Sequence, residues 1–133
     1  MIRAFAALAL PDAVRFELMI AGQGLPVPKL QPAESLHLTL AFLGDVPERT
    51  LEDVDLAFGQ LRAPRFELAL ASMGLFGGSK PRIAYVGAAE SQPLRHLQAK
   101  VETAARTSGI ELPSRRFAPH VTLARLPERL AGR

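Results

Sequence analysis

The sequence predicts a mixed fold, an α+β or α/β sandwich made of two strand–helix–strand sets. Short apolar runs alternate with longer amphipathic ones, and Pro and Gly clusters punctuate them. A seven-residue segment also recurs later in the chain. With 133 residues the chain fits one domain spanning 1–133. Hydrophobic residues at 48% and charged residues at 22% are ordinary for a globular protein and argue against a disordered one.

The elements follow in order. Ile2–Leu10 is apolar and closed by Pro11-Asp12, which predicts a buried strand. Asp12 is placed to N-cap a helix running to about Ala21, with Val14, Leu18 and Ala21 on one face. Gly22-Gln-Gly24 ends it, and the Pro26, Pro28 and Pro32 stretch is irregular. His37–Leu43 reads as a strand stopped by Gly44-Asp45, and Pro47-Glu48 opens a helix with Leu51, Val54, Leu56, Phe58 and Leu61 as its apolar positions. Arg65–Ala71 alternates like a strand, with Phe66, Leu68 and Leu70 on one side. Gly74 to Pro81 reads as a glycine-rich turn, Arg82–Val86 as a strand, Pro93 to about Thr107 as a helix ended at Ser108-Gly109, and Pro119–Leu126 as the last strand.

Composition narrows the chemistry. Sixteen Lys+Arg against thirteen Asp+Glu give +3, and only Lys29, Lys80 and Lys100 are lysines. Arginine suits planar contact with phosphate, and the mild excess permits an anionic substrate without demanding one. The chain has no cysteine, which excludes disulfides, zinc–thiolate sites and cysteine nucleophiles. The apolar start holds Arg3 and is broken by Pro11, unlike a signal peptide, and no run approaches a membrane span. A cytoplasmic protein with no membrane partner is the expectation.

Residues 37–43 read His-Leu-Thr-Leu-Ala-Phe-Leu, and residues 120–126 read His-Val-Thr-Leu-Ala-Arg-Leu, identical at five of seven positions. Two of the three histidines head these segments. A lone histidine in an apolar strand is more often a hydrogen-bonded structural residue than a catalyst, but two matched copies argue otherwise. Side chains two apart on a strand share a face, so His37 goes with Thr39 and His120 with Thr122. Leu38, Leu40, Phe42, Val121 and Leu123 then point to the buried face. If the two strands sit side by side, two imidazoles and two hydroxyls converge. A neutral imidazole can take a proton from water while a protonated one gives a proton to a departing oxygen, and threonine hydroxyls can donate to phosphate oxygens. This suits displacement at phosphorus with no metal and no cofactor. Glu34 and Asp45 flank the first motif without counterparts at the second, so no carboxylate cluster for two metals is expected.

At these residues the chain resembles the two-histidine (2H) phosphoesterase superfamily, specifically the bacterial and archaeal RNA 2′,3′-cyclic phosphodiesterases, or 2′-5′ RNA ligases. Arg3-Ala-Phe5 with Leu10-Pro11, Leu36 to Gly44, Gly74-Leu-Phe76 with Pro81 to Gly87, and Phe117 to Arg125 match its landmarks along essentially the whole chain. Tyr85 stands where the family usually has Trp. The resemblance implies a two-lobed α+β fold with antiparallel sheets related by a pseudo-twofold and flanked by helices. It implies His37 as general acid on the 3′ oxygen, His120 as base on water, and Thr39, Thr122 and Arg125 as the phosphate contacts. RNA ends or nucleotide 2′,3′-cyclic phosphates would be the partners, cleaved to 2′-phosphates with reverse 2′-5′ ligation at the same site. Family members run on for tens of residues past the second motif, so the last strands are expected to be lacking, leaving an unpaired edge and some apolar face.

Other residues are weighed separately. Arg125 falls at an odd offset from His120, which strict alternation assigns to the wrong face, and Phe42 at the matching position reads as core. Phe5, Phe76 and Tyr85 are candidates for base stacking, and of these Phe5 reads most readily as core. His96 reads as a surface or packing residue, Arg115-Arg116 as either an RNA guide or a solvated pair, and Gly77-Gly78-Ser79-Lys80 as a hairpin turn. Two other functions stay open: a non-catalytic RNA- or nucleotide-binding module, and a 2H enzyme acting on a small cyclic-phosphate metabolite.

Overall fold

A computed structural model of the chain describes residues 1–25, 30–77, 82–113 and 116–126. Pro26, Pro28, Gly78 to Pro81, Arg115 and the tail from Pro127 lie outside the described residues. The elements are β1 (Ile2–Ala9), α1 (Asp12–Gln23), a 3-10 turn (Ala33–Ser35), β2 (His37–Val46), α2 (Glu48–Gly59), β3 (Leu70–Phe76), β4 (Ile83–Ala88), α3 (Gln92–Thr107) and β5 (His120–Arg125). The strands form one sheet in the order β1-β2-β5-β4-β3. The class is α+β as expected. The strands join in one sheet rather than two because the two motif strands pair with each other, antiparallel, at Leu38 and Val121.

The chain divides into two compact units. The first takes Met1–Ala7, Thr39–Leu68 and Glu90–Ala118. In it α2 packs on α3, and Ala6, Leu40, Leu43, Val46, Val54, Leu94, Val101 and Ala105 are buried. The Ser91 hydroxyl caps α3 by accepting from the Leu94 amide at 3.3 Å, and Gly109 (φ +100°) turns the chain out of it. The second unit takes Leu8–Leu38, Ala69–Ala89 and the chain from Pro119. There α1 lies against β5, and Leu18, Leu36, Leu38, Ala84, Val86, Val121 and Leu123 are buried.

Several expectations are corrected. Asp12 is the first residue of α1, not its cap. Pro11 holds the cap position, and Asp12 pairs instead with Arg15. The inward face of α1 runs Val14, Leu18, Gly22 at i, i+4, i+8, leaving Ala21 exposed. Glycine suits that third position because a Cβ there would lie 3.1 Å from the Leu30 side chain. Strand β1 is buried on one side only, through Ala6, and Phe5 is half exposed rather than core. Residues 65–69 alternate in burial but form no strand. β4 has only six residues to pair with, and they pair with Leu70–Phe76. Gly74 therefore lies inside β3, and the turn begins at Gly77 (φ +120°). β2 runs three residues past Leu43, to Val46, because Gly44 (φ +77°) bends within the strand instead of ending it.

Candidate active site

The site is built around one cross-strand pair. Leu38 and Val121 oppose each other at the centre of the sheet and are both 0% exposed. Their neighbours therefore point to the other face, and one step from the pair the antiparallel register brings His37 abreast of Thr122. The sequence expected both motif strands to turn their His and Thr to one face, and burial agrees. His37, Thr39, His120 and Thr122 are all half-buried, and the residues between them are buried.

The β4–β5 register locates the remaining groups. Gly87 pairs with His120, Tyr85 with Thr122 and Ile83 with Arg125. Cross-strand partners share a face and β4 alternates without interruption, so His120, Thr122 and Arg125 all lie on the same side. The odd offset of Arg125 is resolved by a slip. Ala84 pairs with Ala124 and Tyr85 with Thr122, so Leu123 is an extra residue on β5. Leu123 and Ala124 are both buried, and Arg125 returns to the histidine side, exposed.

β2 repeats the pattern. Its first six residues have the same succession of burial as β5, with Leu40 and Ala41 both buried and the next residue exposed. That next residue is Phe42, 64% exposed after two successive buried residues, so its expected place in the core is corrected. Its ring lies 6.4 Å from that of Phe5, tilted by 51°. The equivalent carbonyls of the two strands are both hydrogen-bonded from outside the strands. Leu40 O accepts from the Gln98 side chain at 3.2 Å, and Leu123 O accepts from the Gln31 backbone N–H at 2.8 Å. No sequence motif points to Gln98.

The surroundings of the two imidazoles differ. Burial holds His37 below the usual histidine value. His120 meets the edge of an aromatic pair, 4.9 Å from the Phe76 ring and 5.6 Å from the Tyr85 ring, at 76° and 71°. Phe76 and Tyr85 stack on each other at 4.1 Å and 13°. His96 is exposed on α3, and Arg116 is exposed. Among the described residues no three of His, Asp or Glu come together in the way a metal would need, and no helix is long and apolar enough to cross a membrane.

An α+β sheet presenting two strand-borne imidazoles from duplicated His-x-Thr segments on one face is the architecture of a two-histidine phosphoesterase. The family model of the 2′-5′ RNA ligase superfamily matches residues 15–132. The chain belongs to that superfamily. It is 40% identical over 108 residues to an RNA 2′,3′-cyclic phosphodiesterase of Geobacillus stearothermophilus, covering 79% of this chain and 34% of that one. It is 32% identical over 109 residues to one of Aeropyrum pernix, covering 80% and 61%. This chain thus spans about a third and three fifths of those two proteins. The crystal structure of E. coli LigT complexed with 3′-AMP superposes with a TM-score of 0.80 at 31% identity, covering 92% of this chain and 71% of that one.

Proposed function

We propose that the chain hydrolyses RNA or nucleotide 2′,3′-cyclic phosphates to 2′-phosphates by two-histidine acid–base catalysis without a metal, and that the same groups carry reversible 2′-5′ ligation when a 5′ hydroxyl takes the place of water. The observation that carries this is the Leu38–Val121 pairing, which turns the head of each motif toward one face. In the proposed step water attacks phosphorus and the bond from phosphorus to the 3′ oxygen breaks. His120 takes the proton from water, and His37 gives one to the departing oxygen. Thr39 and Thr122 donate to the non-bridging oxygens, and Arg125 adds charge. The family resemblance supports this division of roles. Burial disfavours the protonated His37 that an acid must be, and the arriving phosphate anion offsets this, because an opposite charge favours imidazolium. The 3′-AMP bound to LigT supports a nucleotide as the substrate class, and RNA ends in the cytoplasm are the setting we propose.

The test is incubation with 2′,3′-cyclic nucleotides in EDTA. Turnover unaffected by chelation, a bell-shaped pH profile and 2′-phosphate as the sole product are expected. His37→Ala and His120→Ala should each lower kcat by about 10²- to 10⁴-fold. If His37 is the acid, a phosphodiester with a p-nitrophenolate leaving group loses less in His37→Ala than in His120→Ala, since that group departs unaided. Activity lost on chelation, or retained in either alanine variant, overturns the mechanism. Nucleotide binding without turnover makes the chain a binding module.

A further inference from the structure

The aromatic pair beside His120 is built with more care than a surface for stacking requires. Phe76 and Tyr85 stand on neighbouring strands, and each lies within contact range of the same imidazole. Tyr85 faces Gly74 across the β3–β4 ladder, and Phe76 faces Ile83. A Cβ on Gly74 would fall 2.5 Å from the Tyr85 hydroxyl oxygen and 2.6 Å from its Cζ, so the phenol ring lies where any other residue would put a side chain. The two rings therefore form one slab, seated on Gly74 and closed by their own stacking, with its side toward His120.

We propose that this slab is a positioning element for His120, and that Gly74, Phe76 and Tyr85 act on the reaction through the orientation of that imidazole rather than by touching substrate. Two torsions set the direction of an imidazole, and a rigid wall in contact with the ring removes most of their combinations. A proton-transfer group loses rate steeply when its direction strays, so a wall of this kind raises kcat without binding anything. The inference rests on the reading of His120 as a proton-transfer group. It also departs from the expectation that Phe76 and Tyr85 hold a nucleobase, since each already spends one face on the other.

The experiment compares wild type with Tyr85→Leu, Tyr85→Phe, Tyr85→Trp and Gly74→Ala. Gly74→Ala keeps all three rings and only displaces Tyr85. With adenosine and uridine 2′,3′-cyclic phosphates, Tyr85→Leu and Gly74→Ala should lower kcat about tenfold or more with KM within about twofold, equally for both bases, and change the shape of the pH–rate profile. Tyr85→Phe and Tyr85→Trp should retain most of the rate. In the protein without substrate, the ring protons of His120 should carry a ring-current shift in the NMR spectrum that Gly74→Ala and Tyr85→Leu remove. A raised KM that depends on the base, with kcat unchanged, overturns the proposal in favour of a nucleobase platform. Unchanged His120 signals in Gly74→Ala overturn it whatever the kinetics. If wild type shows no turnover, the function reading fails while the NMR comparison still decides this one. If Tyr85→Leu does not fold, Gly74→Ala and the two aromatic variants carry the test.

Discussion

The two histidines head nearly identical segments yet meet different neighbours, and that difference can be measured. His37 is held below its ordinary value by burial alone. As pH falls through the usual histidine range, about 6.5, the unfolded chain takes up a proton that the folded His37 resists. The folded state loses stability over that interval, and the loss stops once the pH is below the folded value as well. Thermal melts between pH 8 and pH 5 should therefore show Tm falling less in His37→Gln than in wild type. An equal fall in both would remove the burial argument. The histidines and their threonines are legible as candidates because the chain states the motif twice, and Arg125 through the family resemblance alone. The different surroundings of His37 and His120 are not, since Phe76 and Tyr85 reach His120 from elements 44 and 35 residues away (120 − 76 and 120 − 85) through strand pairing that no local pattern encodes.

At the level of elements, strand and helix identity came from periodicity, and most errors fell where tertiary partners decide. Arg65 to Leu68 has the alternation of a strand, but β4 ends at Ala88 and the last bond beyond the ladder is that of the Ala89 N–H to the Ala69 carbonyl. Gly74 reads as a turn residue and instead sits in mid-strand, because the structure needs a missing Cβ there and not a reversal. Arg125 lies on the histidine side against strict alternation because a one-residue slip is silent in a period-two pattern, and Phe42 is exposed after two successive buried residues. Two substitutions test the elements that hold the motif strands. Leu38→Ala removes a wholly buried side chain at the β2–β5 junction and should cost about 3 kcal/mol in urea unfolding. Ser91→Ala removes the cap of α3 and should cost about 1 kcal/mol. Equal costs for the two would mean that the strand junction is not the keystone described.

For the whole molecule, apolar surface stands out. Phe16, Met19 and Ile20 are exposed on α1, and Met73 and Leu75 are exposed on β3, an end strand of the sheet. Such surface promotes self-association. Replacing Phe16 and Leu75 by Gln and Thr should raise the concentration at which the protein aggregates in light scattering while leaving urea stability within about 0.5 kcal/mol. A large loss of stability would mean that these side chains are packed.

The slip in β5 has one further consequence. A regular strand sets its side chains in a straight file, and a file meets a tetrahedral anion along a single direction. The extra residue in β5 adds local right-handed twist, so Arg125 shares a side with His120 and Thr122 without standing in one straight file with them. The Gln31 backbone N–H donates to the Leu123 carbonyl at the slip and helps to hold that curve in place.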